Sequence, residues 1–305
     1  MLREINQRRI RYFYEVLARG TIRGAAEHLN VAPSVITRQL RLLEEELAVT
    51  LFERRARGVV PTESAEIVLQ YYRGCNASQE YMESCLQEMR GMQRGSIRIG
   101  VNEGYVTSLM DDVLNDFSLQ YPRLNIHVEV LLTSEIIAQV IQDDLHIGLA
   151  YNPPENSDLR CHLRAKRPVR LLVKKGHPLA NQQARVTISD ATRYPLGLMS
   201  ATSGLSQTIQ LLEATEKIRL TPILTTNSIF VLEQFVIGGG VAFMAPSPGY
   251  PRIQSGELVG LEIDHPILMS PEIHLFVRQG RPLSTALNQL LKQAQTNLSL
   301  FKQGI

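Results

Sequence analysis

Apolar positions in the first fifty residues recur three or four places apart. Ile5, Ile10, Phe13, Val16 and Leu17 predict a helix over 6–18, which Gly20 ends. Thr21 is placed to cap a second helix, where Ile22, Ala25, Ala26 and Leu29 fall at i, i+3, i+4 and i+7. The adjacent alanines allow another helix to approach closely. Asn30-Val31-Ala32 reads as a turn, and Pro33 suits the first position of a third helix, where its missing N–H costs nothing. Ile36, Leu40, Leu43 and Leu47 form the buried stripe of that helix, while Ser34, Thr37, Arg38 and Arg41 point the other way. Val49, Leu51 and Phe52, then Arg54, Arg55, Arg57 and Gly58, then Val59-Val60 read as a two-stranded wing with arginines at its turn.

A longer stripe follows. Val68, Tyr71, Cys75, Ser78, Met82, Cys85, Met89 and Met92 alternate three and four apart, with Leu69, Tyr72 and Leu86 widening the seam. A helix of about thirty residues spans roughly 45 Å. Its seam needs a partner, and a dimerisation helix between two domains is the expected reading. At Gly95 the pattern changes. "SIRIGVN", "NIHVEVLLT", "HIGLAYN", "VRLLVKK", "PLGLM", "PILTT", "VAFMA" and "EIHLFVRQ" read as strands. Helices are expected over 106–120, 134–142, 204–215, 228–237 and 283–300. Such alternation predicts mostly parallel sheets with ligands at the strand C-terminal ends. The organisation expected is a head over 1–61, a linker helix over 62–93 and a body over 94–305. The body divides into a first lobe, 94–165 with 266–305 crossing back to complete it, and a second lobe, 166–265.

Charge sharpens this division. The 305 residues carry a net charge of only +2, but residues 1–60 hold eleven Arg and no Lys against seven Glu. A basic head on a slightly acidic body predicts a polyanion as partner of the head. A helix such as the third enters a major groove N-terminus first, bringing its dipole and its hydroxyls to phosphates and base edges, while wing arginines meet the backbone or minor groove. Ser34, Thr37, Arg38, Arg41, Arg54, Arg55 and Arg57 are thus the candidate contacts to double-stranded DNA. Cys75, Cys85 and Cys161 have no C-x-x-C spacing, so neither a metal site nor a disulfide framework is expected. No G-x-S-x-G, phosphate-binding loop or H-E-x-x-H occurs and the histidines are scattered, which argues against an enzyme; no cofactor is expected. There is no run of eighteen apolar residues and no apolar signal core at the N-terminus, so a cytoplasmic protein without a membrane span is expected.

The stretch "AAEHLNVAPSVITRQLRLLEEELAVTLFERRARGVVPT" resembles the winged helix-turn-helix signature of LysR-type transcriptional regulators. The matching residues are Ala25-Ala26, Ser34, Thr37-Arg38-Gln39-Leu40, Leu43-Glu44, Leu47, Leu51-Phe52, Arg54 and Thr62. Three positions depart from the family pattern: Ala32-Pro33 stands where Ser-Gln is frequent, Ala48 where Gly is common, and Ser64-Ala65 where a Gly is common after the threonine. The resemblance extends over nearly the whole chain. It implies a two-lobed α/β effector domain similar to periplasmic binding proteins, sequence-specific DNA binding, a small-molecule effector, and assembly as a homodimer or homotetramer.

Four strand-to-helix turns are expected to aim into the cleft between the lobes. They supply Asn102 and Glu103, Thr133 and Ser134, Ser200, Thr202 and Ser203, and Asn227. The strand "VAFMA" adds Phe243 and Ala245 as expected lining. Each turn is rich in hydroxyls or amides beside a helix N-terminus, which favours a small organic acid. Ser, Thr and Asn are equally what ordinary caps require. Glu103 is the exception, since it would repel a carboxylate or seat an amine.

Overall fold

The computed structural model describes residues 5–55, 58–89, 95–181, 186–200, 203–246 and 250–302. The chain divides into two compact units, 1–82 and 83–305.

The first unit opens with α1 (Gln7–Arg19), α2 (Ile22–Leu29) and α3 (Pro33–Leu47). Asn6 caps α1 by accepting from the Arg8 N–H, and Gly20 ends it at φ 67°, a left-handed conformation that glycine adopts without strain. Thr21 caps α2 through the Gly24 N–H at 3.0 Å. Ile10, Phe13 and Val16 of α1, the alanine pair of α2, and Ile36, Leu40 and Leu43 of α3 close one core. The antiparallel wing of β1 (Phe52–Arg55) and β2 (Gly58–Pro61) follows. Two residues of the sequence signature hold it. The Glu44 carboxylate accepts from the Leu51 N–H at 2.7 Å and the Phe52 N–H at 3.3 Å, fastening α3 to the start of β1. Thr62 donates its hydroxyl to the Thr50 carbonyl at 2.7 Å, and its backbone N–H binds the Leu51 carbonyl.

Next comes α4 (Glu63–Met89). Its apolar residues serve two faces rather than one seam. Leu69, with Val68 and Tyr72 beside it, packs into the core of the first unit, and Tyr72 stacks on Tyr14 with ring centroids 4.5 Å apart. Those three therefore leave the predicted seam, because the first turns of α4 complete a core that three short helices leave open. Ile67, Tyr71, Met82, Leu86 and Met89 are exposed. Met92, expected to end the stripe, lies outside the described residues.

The second unit contains two five-stranded sheets. The first is built from β3 (Gly95–Val101), then the helical stretch of α5 (Val106–Leu109) and α6 (Asn115–Gln120), β4 (Leu124–Val130), α7 (Thr133–Ile141), β5 (Ile147–Tyr151) and β6 (Leu159–Lys166). The expected single helix over 106–120 is interrupted by a π-turn at Met110–Leu114, which absorbs one extra residue while Leu109, Val113 and Phe117 all stay buried. The second sheet draws on β7 (Arg170–Lys174), α8 (Ile188–Ala191), β8 (Leu196–Met199), α9 (Gly204–Glu216), β9 (Leu224–Thr226), α10 (Ile229–Ile237), β10 (Val241–Met244), α11 (Pro251–Gln254) and β11 (Leu258–Glu262). After α12 (Pro266–Met269), β12 (Glu272–Arg278) and α13 (Thr285–Asn297) return to the first sheet.

The strand orders are β4-β3-β5-β12-β6 and β11-β7-β10-β8-β9. In each sheet three strands run parallel, and the remaining two pairings are antiparallel. Mostly parallel sheets were expected; β6 and β11, absent from the predicted strands, add the antiparallel edges. β6 alternates Leu159, Cys161, Leu163 and Ala165 with charged or polar residues, and β11 is a short run broken by Gly260, so neither forms the continuous apolar run of the inner strands. The returning segment is pinned by charge as well as by pairing: Asp143, just after α7, takes the Arg278 guanidinium at 2.8 Å and that of Arg281. A continuous core runs through both sheets, from Ile97, Ile99 and Leu149 to Leu171, Leu196 and Phe243.

Candidate functional site

Two regions carry the candidate chemistry. On α3 the buried stripe and the polar face lie on opposite sides of the helix, as its 3.6-residue repeat requires. Ser34, Arg38 and Arg41 are exposed and Thr37 is half-buried. The Thr37 hydroxyl donates to the Pro33 carbonyl at 3.0 Å, and Arg41 pairs with Glu45 one turn on at 2.7 Å. Exposed pairs of this kind contribute little stability, so Arg41 can leave Glu45 at little cost to the fold. Arg9 of α1 bonds Glu46 at 2.7 Å and Gln39 at 3.4 Å, which fixes the angle of α3 and uses the Gln39 side chain inside the fold. Val35, an apolar side chain left exposed at the start of α3, was not singled out in the sequence because its spacing matches neither stripe. In the wing, Arg55 is exposed and 3.7 Å from Glu53. Arg57 and the Arg54 side chain lie outside the described residues.

The second region is a cavity of about 320 Å³ at the strand ends of the two sheets. Asn102, immediately after β3, organises its floor. Its amide donates to the Leu131 carbonyl at 2.9 Å, and its carbonyl oxygen accepts from the Tyr151 N–H at 2.7 Å. The Thr133 hydroxyl lies 3.2 Å from that same oxygen and 3.1 Å from the Tyr151 carbonyl. The ends of β3, β4 and β5 are thereby tied together. Across the cavity Ser203 caps α9 through the Ser206 N–H at 3.0 Å. Gly204 follows, and a Cβ there would stand 2.5 Å from the Tyr151 carbonyl, so only glycine permits this approach of the two lobes.

Glu103 makes the longest-range polar contact of the cavity. Its carboxylate accepts from the Ile229 N–H at 2.8 Å, the Ser228 hydroxyl at 3.1 Å and the Phe230 N–H at 3.4 Å. A side chain of the first lobe thus caps a helix of the second. The Tyr250 phenol is pushed well above its ordinary value by burial, by its hydrogen bond to Glu233 and by the negative charges of Glu233 and Glu103. Glu233 is itself buried and paired with Arg252 at 3.3 Å. Burial likewise raises Tyr105 and Tyr151.

Of the expected cleft residues, Asn102, Glu103, Thr133, Ser203, Asn227 and Ala245 line this cavity. The others do not. Ser134 is exposed one position along α7, with Thr133 turned inward in its place. Ser200 is half-buried and its backbone N–H is held by the Thr226 carbonyl at 2.8 Å. Phe243 is fully buried in the core, because β10 is covered on both faces and only its C-terminal end, from Met244, reaches the cavity. Thr202 lies outside the described residues. Tyr105, Leu131, Met199, Ile229 and Tyr250 form apolar walls, which carry none of the polar-turn signal that marks the other lining residues. Among the described residues no group of His, Cys, Asp and Glu could hold a metal ion, and no helix is long and apolar enough to cross a membrane.

Residues 7–66 match the family of bacterial regulatory helix-turn-helix proteins of the lysR type, and residues 90–299 match the LysR substrate binding domain. A RuBisCO operon transcriptional regulator from Allochromatium vinosum is 24% identical over 285 residues, covering 92% of this chain and 93% of that protein. The transcriptional dual regulator GltC of Bacillus subtilis is 34% identical over 181 residues, 58% of this chain and 59% of GltC. Among solved structures, a full-length OxyR from Pseudomonas aeruginosa superimposes with a TM-score of 0.67 at 17% identity, covering 99% of both chains. Full-length CbnR in complex with its target DNA gives 0.56 at 16% identity, over 96% of this chain and 99% of that one. These relatives are regulators rather than enzymes, and the chain belongs to the LysR family, as a DNA-binding transcriptional regulator with an effector-binding substrate domain.

Proposed function

We propose that the face of α3 bearing Ser34, Thr37, Arg38 and Arg41 reads the major groove of double-stranded DNA, and that Arg54, Arg55 and Arg57 of the wing hold the phosphates. The observation that carries this reading is the arrangement of α3: Ser34, Arg38 and Arg41 are exposed opposite the buried Ile36, Leu40 and Leu43, and Arg9 and Glu44 anchor the middle and C-terminal part of the helix, leaving its N-terminal end open. Hydroxyls and guanidinium groups at the start of a helix suit base edges and phosphates, and Val35 beside them suits a thymine methyl. The exposed stripe of Tyr71, Met82, Leu86 and Met89 on α4 supports self-association as a homodimer, and as a homotetramer built from such dimers. The 320 Å³ cavity supports binding of a small effector between the lobes, where it would bias their relative angle. Such a regulator works in the cytoplasm, beside its DNA. Selection of bound fragments from a genomic library, followed by gel shift, is the direct test. Retention of one sequence class over random fragments is the expected result, and equal binding of all fragments would overturn sequence-specific reading.

A small organic acid is the finer expectation for the effector. It drew on several helix N-termini offering partial positive charge to one point. Two observations weigh against it. Ser203 and Glu103 already cap the N-termini of α9 and α10, and no Lys, Arg or His is among the described residues lining the cavity.

A further inference from the structure

The charge of the cavity points to the class of its ligand. Its described lining contains two carboxylates, Glu103 and Glu135, and no cationic side chain. Glu135 is exposed and accepts from the Leu132 N–H at 2.9 Å, so it caps its own helix at the rim. Glu103 is half-buried and sits deeper, on the α10 N-terminus. An incoming carboxylate aimed at that terminus would have to expel Glu103, and one placed elsewhere would still share a small cavity with its charge. Like charges brought together away from water repel strongly. A cation faces neither difficulty. A carboxylate offers about four lone-pair positions. The Ser228 hydroxyl and the Ile229 and Phe230 N–H groups use three of them, which leaves capacity for one further donor.

The walls agree with this. Tyr250 lines the cavity close enough to Glu103 to feel its charge, and the raised phenol stays neutral, so the residue adds uncharged aromatic surface to the wall. Tyr105, Leu131, Met199 and Met244 extend the apolar surface. Aromatic faces next to a partly desolvated carboxylate are the recognition chemistry of an ammonium group on an apolar body. We propose that the cleft binds a small amine-bearing cation, its ammonium donating to Glu103 while Glu103 keeps its hold on α10. The proposal rests on the reading of this cavity as the effector site and reverses the charge expected of the effector. It also makes Glu103 the point where ligand binding meets the contact between lobes, since one carboxylate serves both.

The test is calorimetry on the full chain with three probes that share a phenethyl body: phenethylamine, phenethyl alcohol and hydrocinnamate. At neutral pH the first is a cation, the second neutral and the third an anion. The amine is expected to bind at least about tenfold more tightly than the acid, with the alcohol between them. Glu103→Gln, which keeps an oxygen for α10, should weaken the amine about tenfold and bring it level with the alcohol. Glu135→Gln should change the amine by less than about threefold, as an exposed charge is screened. A melting curve of each variant checks that it is folded. Tighter binding of the acid than of the amine would overturn the charge assignment alone, as would an undiminished amine affinity in Glu103→Gln. If none of the three binds to protein that still binds DNA, the effector-site reading falls together with the proposal.

Discussion

The polar side chains of the head and those of the cleft both gather at helix starts and share their hydroxyls, and they meet opposite fates. On α3, Ser34, Arg38 and Arg41 are exposed and engage at most a neighbour on their own helix. In the cleft, Asn102, Thr133 and Ser203 spend their hydrogen bonds on strand ends and helix caps. The first set is available to a partner and costs the fold little to lose. The second holds the cavity together, and on the proposed reading recognition is left to the apolar walls and to Glu103. A helix N-terminus rich in hydroxyls is thus two different objects, depending on whether the hydroxyls face out of the fold or back into it.

Five substitutions would break or sharpen this contrast. The largest effect is expected on α4, where Met82 is 52% exposed in the single chain. Met82→Glu would place a charge in the proposed dimer seam at a desolvation cost of several kcal/mol, so sedimentation should show loss of the dimer; a fully dimeric variant would locate the interface elsewhere. Asn102→Ala should destabilise the effector unit by about 3 kcal/mol, because the Leu131 carbonyl and the Tyr151 N–H both lose their partner. Denaturant melts measure this, and a loss within about 0.5 kcal/mol would make Asn102 an available ligand residue after all. Arg38→Ala should do the reverse, leaving the melt unchanged and costing roughly 1–3 kcal/mol of affinity for the preferred DNA site in gel shifts. Arg55→Ala should lower the slope of log affinity against log salt by about one unit without altering site preference; an altered preference with an intact slope would mean that the wing reads bases.

The smallest effect concerns Ala48, which caps α3 in a left-handed conformation at φ 56°. Ala48→Gly relieves roughly 1 kcal/mol of backbone strain and should raise the midpoint of denaturation. An unchanged or lower midpoint would show that the cost of extra freedom in the unfolded chain cancels the relief.

The head was legible almost residue by residue. Its helices are bounded by local signals, with Asn6, Thr21, Pro33 and Gly20 each acting within a turn of their own position. The linker was legible as a helix but not in its division of labour, because Leu69 and Tyr72 carry the same apolar character as Met82 and Leu86 and only packing separates them. In the body, strands with a continuous apolar run stood out, whereas β6 and β11 did not. Turn chemistry placed Asn102, Thr133, Ser203 and Asn227 on the cavity, since a strand-to-helix turn in such a fold has few places to go. It misplaced Phe243, because a strand covered on both faces gives no alternation to show which side chain reaches a pocket. The bond from Glu103 to α10 has no sequence signal at all, as cap and helix come from different lobes.

The position of β12 between β5 and β6 sets a timetable for the newborn chain. As the ribosome extrudes residues in order, β6 emerges well before the strand it pairs with, and among the described residues β12 is its sheet neighbour. Until the C-terminal segment arrives, the first lobe has a gap where its fourth strand belongs, and β6 waits with an open edge. Lone edges invite pairing with other chains. Here Arg160, Arg164 and Lys166 are exposed along the waiting strand, so two copies held at the same stage repel each other. A premature stop before residue 272 would leave that lobe permanently unfinished, and the damage would fall on the half of the effector domain that is translated first.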